Sequence, residues 1–154
     1  MEAIIASAIA VLGTLLGSVI TLVVQQRTTD KGHQFARDER LRQERLDAYS
    51  TYAGALVNYR RSLVHLWFCI HEQPAPEDAD EVRIRTYDLR SRAQEALFRA
   101  QMLTDDVVFT RAAADVLAKV TTLYKVDTRT ELDARRTDTR DAIQQLVMAA
   151  KRHV

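Results

Sequence analysis

Hydrophobic and polar positions divide this chain into three regimes. The first is residues 3–24, AIIASAIAVLGTLLGSVITLVV, a run of 22 residues without a charge. As a helix rising about 1.5 Å per residue it reaches roughly 33 Å, enough to cross a hydrocarbon core of about 30 Å with modest tilt. Its polar atoms are the hydroxyls of Ser7, Thr14, Ser18 and Thr21. A hydroxyl in a helix bonds back to its own backbone one turn earlier and so costs little in lipid. No positively charged stretch precedes the run and no small-x-small cleavage site closes it. The pattern therefore predicts a retained transmembrane anchor rather than a cleaved signal peptide.

The second regime, residues 25–47, is polar and dense in charge, with Gly32 as its only breaker. Asp38 and Glu39 stand four and three residues before Arg42, and acid-first pairs of that kind support an exposed helix. This stretch predicts a solvated helical stalk, continuous with the span or bent near Gly32.

The third regime begins near Asp47. Tyr49, Leu56, Leu63 and Ile70 recur every seven residues, and Tyr52, Tyr59 and Leu66 sit three after the first three of them. That is an a/d seam over three heptads. Ala53, Val57 and Trp67 broaden it to the stripe of a bundle helix. Carried backward, the register meets Arg42 and Arg45, so the tight seam starts near Asp47. Such a seam serves either an internal core or an intermolecular coiled coil. Pro74 and Pro76 in QPAPEDAD end this helix, and Glu77, Asp78, Asp80 and Glu81 favour the start of the next. A second helix runs to about Leu103, with Val82, Leu89, Ala93, Ala96, Ala100 and Leu103 as its inner stripe. Thr104-Asp105-Asp106 is a break with capping chemistry. The third helix covers roughly 106–125 on Phe109, Ala113, Val116, Val120 and Leu123. Asp127 or Thr128 caps a fourth from about Thr130, where Ile143, Leu146, Val147 and Ala150 are apolar at helical spacing and Leu132 is isolated among polar neighbours. The alternative is one unbroken helix from Asp106 onward; the β-branched, polar stretch 126–130 favours a break.

The fold expectation is all-α: a single N-terminal transmembrane helix followed by an antiparallel helical bundle of about four helices. Its parts are the anchor at 3–24, the charged stalk at 25–47 and the bundle at 48–154. Composition agrees, since only four Gly and two Pro occur in 154 residues.

Charge adds orientation. No Lys or Arg precedes the span, whereas Arg27, Lys31, Arg37, Arg40, Arg42 and Arg45 follow it. The positive-inside rule puts the amino terminus outside and the body in the cytoplasm. The 22 basic and 21 acidic residues leave a net charge of +1, which argues against a general nucleic-acid binder. One cysteine, Cys69, rules out an intramolecular disulfide. Within the span, Gly13-x-x-x-Gly17 continues to Thr21, a small-residue face on which two helices can approach closely. A homo-oligomer or another membrane protein is the expected partner, alongside the bilayer itself.

Catalytic chemistry finds little material. His65 and Cys69 share a helix face, but His71 points elsewhere and no further ligand motif completes a tetrahedral site. Nucleophile elbows, Gly-rich phosphate loops and HExxH are missing. No catalytic, cofactor-binding or metal-binding residue is assigned. The tyrosines at 49, 52 and 59 read as core whose hydroxyls need partners, with Arg60, Arg61 or acids of the second helix as candidates.

The block ERLRQERLDAYSTYAGALVNYRR at 39–61, set soon after an N-terminal span, resembles small uncharacterised single-span proteins of actinobacteria. The resemblance implies a bacterial membrane protein with a helical body and transfers no functional residue. The expected function is a non-enzymatic, membrane-anchored interaction or scaffold protein that self-associates through Gly13, Gly17 and Thr21 or through the Tyr49–Ile70 seam. Two alternatives are a ligand-responsive sensor or regulatory subunit of a larger membrane complex, and a membrane-active holin- or spanin-like factor.

Overall fold

The structure, a computed structural model, describes helical backbone from Glu2 and side chains for residues 34–154. The predicted anchor, with Gly13, Gly17 and Thr21, lies outside the residues so described, as does the first part of the predicted stalk. Among the described residues no helix is long and apolar enough to cross a membrane, and there is no strand. The chain divides into two compact units, Met1–Leu41 and Arg42–Val154. All the packing below lies within the second.

Four helices build it: α1 (Glu2–His71), α2 (Ala79–Met102), α3 (Val107–Thr121) and α4 (Arg129–Ala150). Short 3₁₀ turns follow α3 at Leu123–Lys125 and α4 at Lys151–His153. Each boundary has a local cause. Beyond His71 the two prolines cannot continue a helix. Asp78 caps α2 by accepting from the amides of Asp80 and Glu81, and Asp106 caps α3 by accepting from those of Val108 and Phe109. Of the two predicted caps for α4, Thr128 is the one used, accepting from the Glu131 amide. The break between the third and fourth helices is therefore real. The Leu123–Lys125 turn takes the segment the sequence assigned to the end of a longer third helix.

Side-chain contacts fix the helix directions. Tyr52 on α1 reaches Ala113 and Tyr59 reaches Thr121, so α1 and α3 run the same way. Arg45 reaches Leu103 while Ser62 meets Thr86, so α2 runs against α1. Arg60 meets Arg136 and Thr139 while Arg129 meets Glu72, so α4 also runs against it. The result is an up–down–up–down bundle of the kind short connections favour.

The core follows the size rule that the stripes suggest. Large side chains of α1 (Tyr49, Tyr52, Leu56, Tyr59, Leu63, Trp67) share one cluster with the small Ala93, Ala96 and Ala100 of α2. Phe109, Ala113, Val116 and Val120 of α3 and Leu132, Ile143 and Leu146 of α4 close it. Leu66, Cys69 and Val82 form a second, smaller cluster. Three expectations need correction. Val57 is exposed because it follows Leu56 by one residue and so points about 100° away. Val147 is exposed for the same reason beside Leu146. Leu132, isolated in the sequence, is fully buried in the main core cluster, while Asp133, Ala134 and Arg135 after it turn outward and are exposed.

Leu56 is fully buried at the middle of the seam. Leu56→Ala should lower unfolding stability by about 2–5 kcal/mol. Leu56→Asp should cost more, since it buries an unpaired charge. Denaturant unfolding followed by circular dichroism checks both; an unchanged midpoint for Leu56→Asp would remove the seam from the core.

Candidate functional site

The seam predicted as an interaction surface is spent inside the bundle. Tyr49, Tyr52, Leu56, Tyr59, Leu63 and Leu66 are all buried. Ile70 is not: it is 41% exposed. It stands near the end of α1, on a small pocket that separates it from Arg83 and Tyr87 of α2 and from Tyr124. The Arg45 position, which the register marked as a polar interruption, still packs. Its Nε donates to the Leu103 carbonyl at 2.8 Å, placing a cation at the C-terminal end of α2, where the helix dipole favours it.

The three seam tyrosines meet different fates. Tyr52 donates its hydroxyl to the Ala113 carbonyl at 2.7 Å. Tyr59 lies 3.5 Å from the Thr121 hydroxyl. Burial pushes both phenols above their ordinary range. The Tyr49 ring packs on Phe109 at 4.9 Å, and its buried hydroxyl finds no protein partner. Neither Arg60 nor Arg61 serves these hydroxyls. Arg60 instead crosses to α4, donating to Thr139 Oγ1 at 2.9 Å and to the Arg136 carbonyl at 2.5 Å. Burial, then the nearby Arg136 and Arg140 charges, lowers the Arg60 pKa. Thr139 is itself fully buried, so Arg60 supplies a polar partner that a helix stripe alone could not reveal.

His65, Cys69 and His71 do not assemble a site. His65 Nε2 is 3.0 Å from Glu77 and 3.8 Å from the Cys69 sulfur. His71 stacks on Trp67, with centroids 4.4 Å apart, and its Nδ1 lies 3.0 Å from the Trp67 carbonyl. Glu77 also pairs with Arg85, and its pKa is lowered first by the His65 contact and then by Arg85. Among the described residues no group of three or more His, Cys, Asp and Glu could hold a metal ion. These contacts tie the loop after α1 to the start of α2. Trp67 does the same for the turn before α4, donating its indole N–H to the Val126 carbonyl at 2.6 Å.

Two surface features remain. One is a groove of about 440 Å³ between α1 and the end of α4, lined mostly by apolar atoms of Leu46, Tyr49, Phe109, Leu146 and Val147, with Arg42 and Lys151 also on its wall. The other is the outer face of α2. Ile84, Tyr87, Phe98 and Met102 there are between 52% and 79% exposed, and Val107 and Val108 at the start of α3 are exposed as well. The sequence stripe for α2 favoured its inner face alone. The outer apolar residues form no continuous stripe in the sequence, since the polar Ser91 and Gln94 fall between Tyr87 and Phe98.

The tyrosines give a paired test. Tyr52→Phe should cost about 0.5–1.5 kcal/mol, the net worth of an ordinary hydrogen bond, while Tyr49→Phe should be neutral or slightly stabilising. Both are read from denaturant midpoints. The raised phenols carry a pH signature too. Above about pH 10 the unfolded chain releases these protons while the folded chain retains them. Stability should therefore fall as pH rises past about 10, and the fall should be shallower in Tyr52→Phe; an equal slope in both proteins would place that phenol in water.

Comparison with known proteins bears on the bundle rather than on any one residue. Neither the curated proteins nor the solved structures contain a match. A family model described as KilB plasmid transfer protein matches residues 46–154. The matched stretch opens just before the tyrosine seam and takes in all four bundle helices to the last residue. This four-helix chain belongs to the KilB plasmid transfer protein family.

Proposed function

We propose that this chain is a non-enzymatic, membrane-tethered interaction protein of plasmid transfer. The apolar segment at 3–24 anchors it with the amino terminus outside, and the bundle works on the cytoplasmic face. The family's description supplies the process. One observation carries the interaction role. The bundle satisfies its own seam internally and still presents a row of large apolar side chains, Ile84, Tyr87, Phe98 and Met102, on the outside of α2. Exposed apolar groups gathered on one face mark a contact surface. The near-even charge supports a protein partner over plasmid DNA.

The groove beside Tyr49 favours a second reading, a ligand-responsive regulator. Its volume falls in the range of small-molecule sites, and the unpaired Tyr49 hydroxyl would gain a partner from a bound molecule. A saturable rise in melting temperature with an added fatty acid, lost in Tyr49→Phe, would move the assignment to that reading.

The main reading is tested in mating. Ile84→Glu combined with Phe98→Glu, introduced into a plasmid carrying this gene, should lower transfer frequency at least tenfold. Membrane fractionation and the helical melt should be unchanged. Full transfer by the double variant, or a wild-type protein found in the soluble fraction, would overturn the proposal.

A further inference from the structure

Helix α2 carries two apolar stripes on opposite sides. Val82, Ala93, Ala96 and Ala100 are buried against its own bundle. Ile84 lies two residues beyond Val82, about 200° around the helix. From Ile84 the outer row steps by three and four residues through Tyr87, Ser91 and Gln94 to Phe98, all exposed. That is heptad spacing, with Ile84, Ser91 and Phe98 at a and Tyr87 and Gln94 at d.

The charges beside this row are sorted by sign. Arg83 and Arg90 border it on one side, and Asp88 and Glu95 border it on the other, all exposed. Arg83 pairs with Asp80 of its own helix, at 2.6 Å, an exposed pair that is easily exchanged, and with Tyr87 and Arg90 it also rims the small pocket beside Ile70 and Tyr124. Of the other arginines of α2, Arg85 pairs with Glu77 and Arg99 with Asp47, and Arg92, exposed, lies beyond the acidic edge, away from the row.

We infer that two copies of this chain pair in parallel along the outer row of α2. In a parallel pair, the flanking residue at g faces the residue five positions further on the other helix. Arg83 then faces Asp88 of the second copy, and Arg90 faces its Glu95. Both contacts are attractive, and the two-fold axis generates each twice. An antiparallel pair sets g against g and e against e, which brings arginine to arginine and acid to acid. Charge thus selects both the partner, a second copy, and its direction. Ser91 and Gln94 at the centre weaken the seam and hold its register, which suits a dimer that forms and parts. The inner alanine face of each copy stays in its own bundle, so pairing requires no unfolding. This inference rests on the interaction role proposed above and names its partner.

The test uses the full chain in its native membrane, with Cys69→Ala as background. Ile84→Cys and Phe98→Cys are introduced one at a time and oxidised. In a parallel pair each position meets its own copy, so both variants should give disulfide-linked dimers. Cross-linking confined to Ser91→Cys, near the middle, would mean an antiparallel pair and overturn the inference. A charge exchange adds independence from packing. Arg83→Glu with Arg90→Glu in one copy, or Asp88→Arg with Glu95→Arg in the other, should each reduce cross-linking at Ile84→Cys severalfold. Co-expression of the two should restore it as a heterodimer, and failure of that rescue would also overturn the inference. Absence of any cross-link while native electrophoresis still shows a larger complex would end the α2 dimer and leave the interaction role standing. A monomer with no complex would end both.

Discussion

Everything in the bundle depends on how α1 buries tyrosines. A tyrosine ring contributes a large apolar area, but its hydroxyl must still find a partner in the interior. Here the rings share one cluster with alanines of α2, and two of the three hydroxyls reach α3. Tyr52 finds a carbonyl at Ala113 and Tyr59 approaches a hydroxyl at Thr121. Those two contacts, eight residues apart on α3 and seven on α1, hold the helices in one register. Arg60 does the corresponding work toward α4 through Thr139. The polar ends of the core side chains, more than the apolar bodies, specify which helix lies where.

The ends of the bundle are held by different means. At one end Trp67, Phe68 and His71 gather the loops. The indole bonds to Val126, and Arg129 lies over the Phe68 ring at 4.6 Å while reaching Glu72. At the other end Asp106 caps α3 and meets His153 at 3.4 Å, while the His153 ring packs on Phe109. Backbone bonds to Phe109 and Val108, with the His153 charge, hold the Asp106 carboxyl below its usual range. One side chain thus serves as a helix cap and as a clasp for the turn after α4.

Much of this architecture was legible in the sequence. Periodicity located the α1 seam, two prolines located its end, and the stretch Thr104–Asp106 and the pair Asp127 and Thr128 announced helix starts, of which Asp106 and Thr128 are the caps used. What was hidden depended on contacts between residues far apart in the chain. The burial of Leu132 could not be read beside Arg135 and Arg136, because the contacts that draw this part of α4 onto α1, from Arg60 to the Arg136 carbonyl and to Thr139, come from another helix. Ile70 matched the register and is exposed, since periodicity gives direction around a helix but not how closely a neighbouring helix packs at each level. Of the two uses the sequence left open for the α1 seam, an internal core or a second helix, the core takes it up. The strongest stripe in a sequence is the one most readily used for folding, so the large apolar side chains left exposed lie on a weaker one, here on the far side of α2.

Cys69 has a consequence beyond packing. It is the only thiol in the chain, and it is held between Leu66 and Val82 where α1 meets the beginning of α2. A thiol reagent can reach it only when that junction opens. The rate of its labelling is therefore a clock for local breathing at one end of the bundle, built into the natural protein, and its dependence on protein concentration or on transfer partners would show whether association quiets that motion.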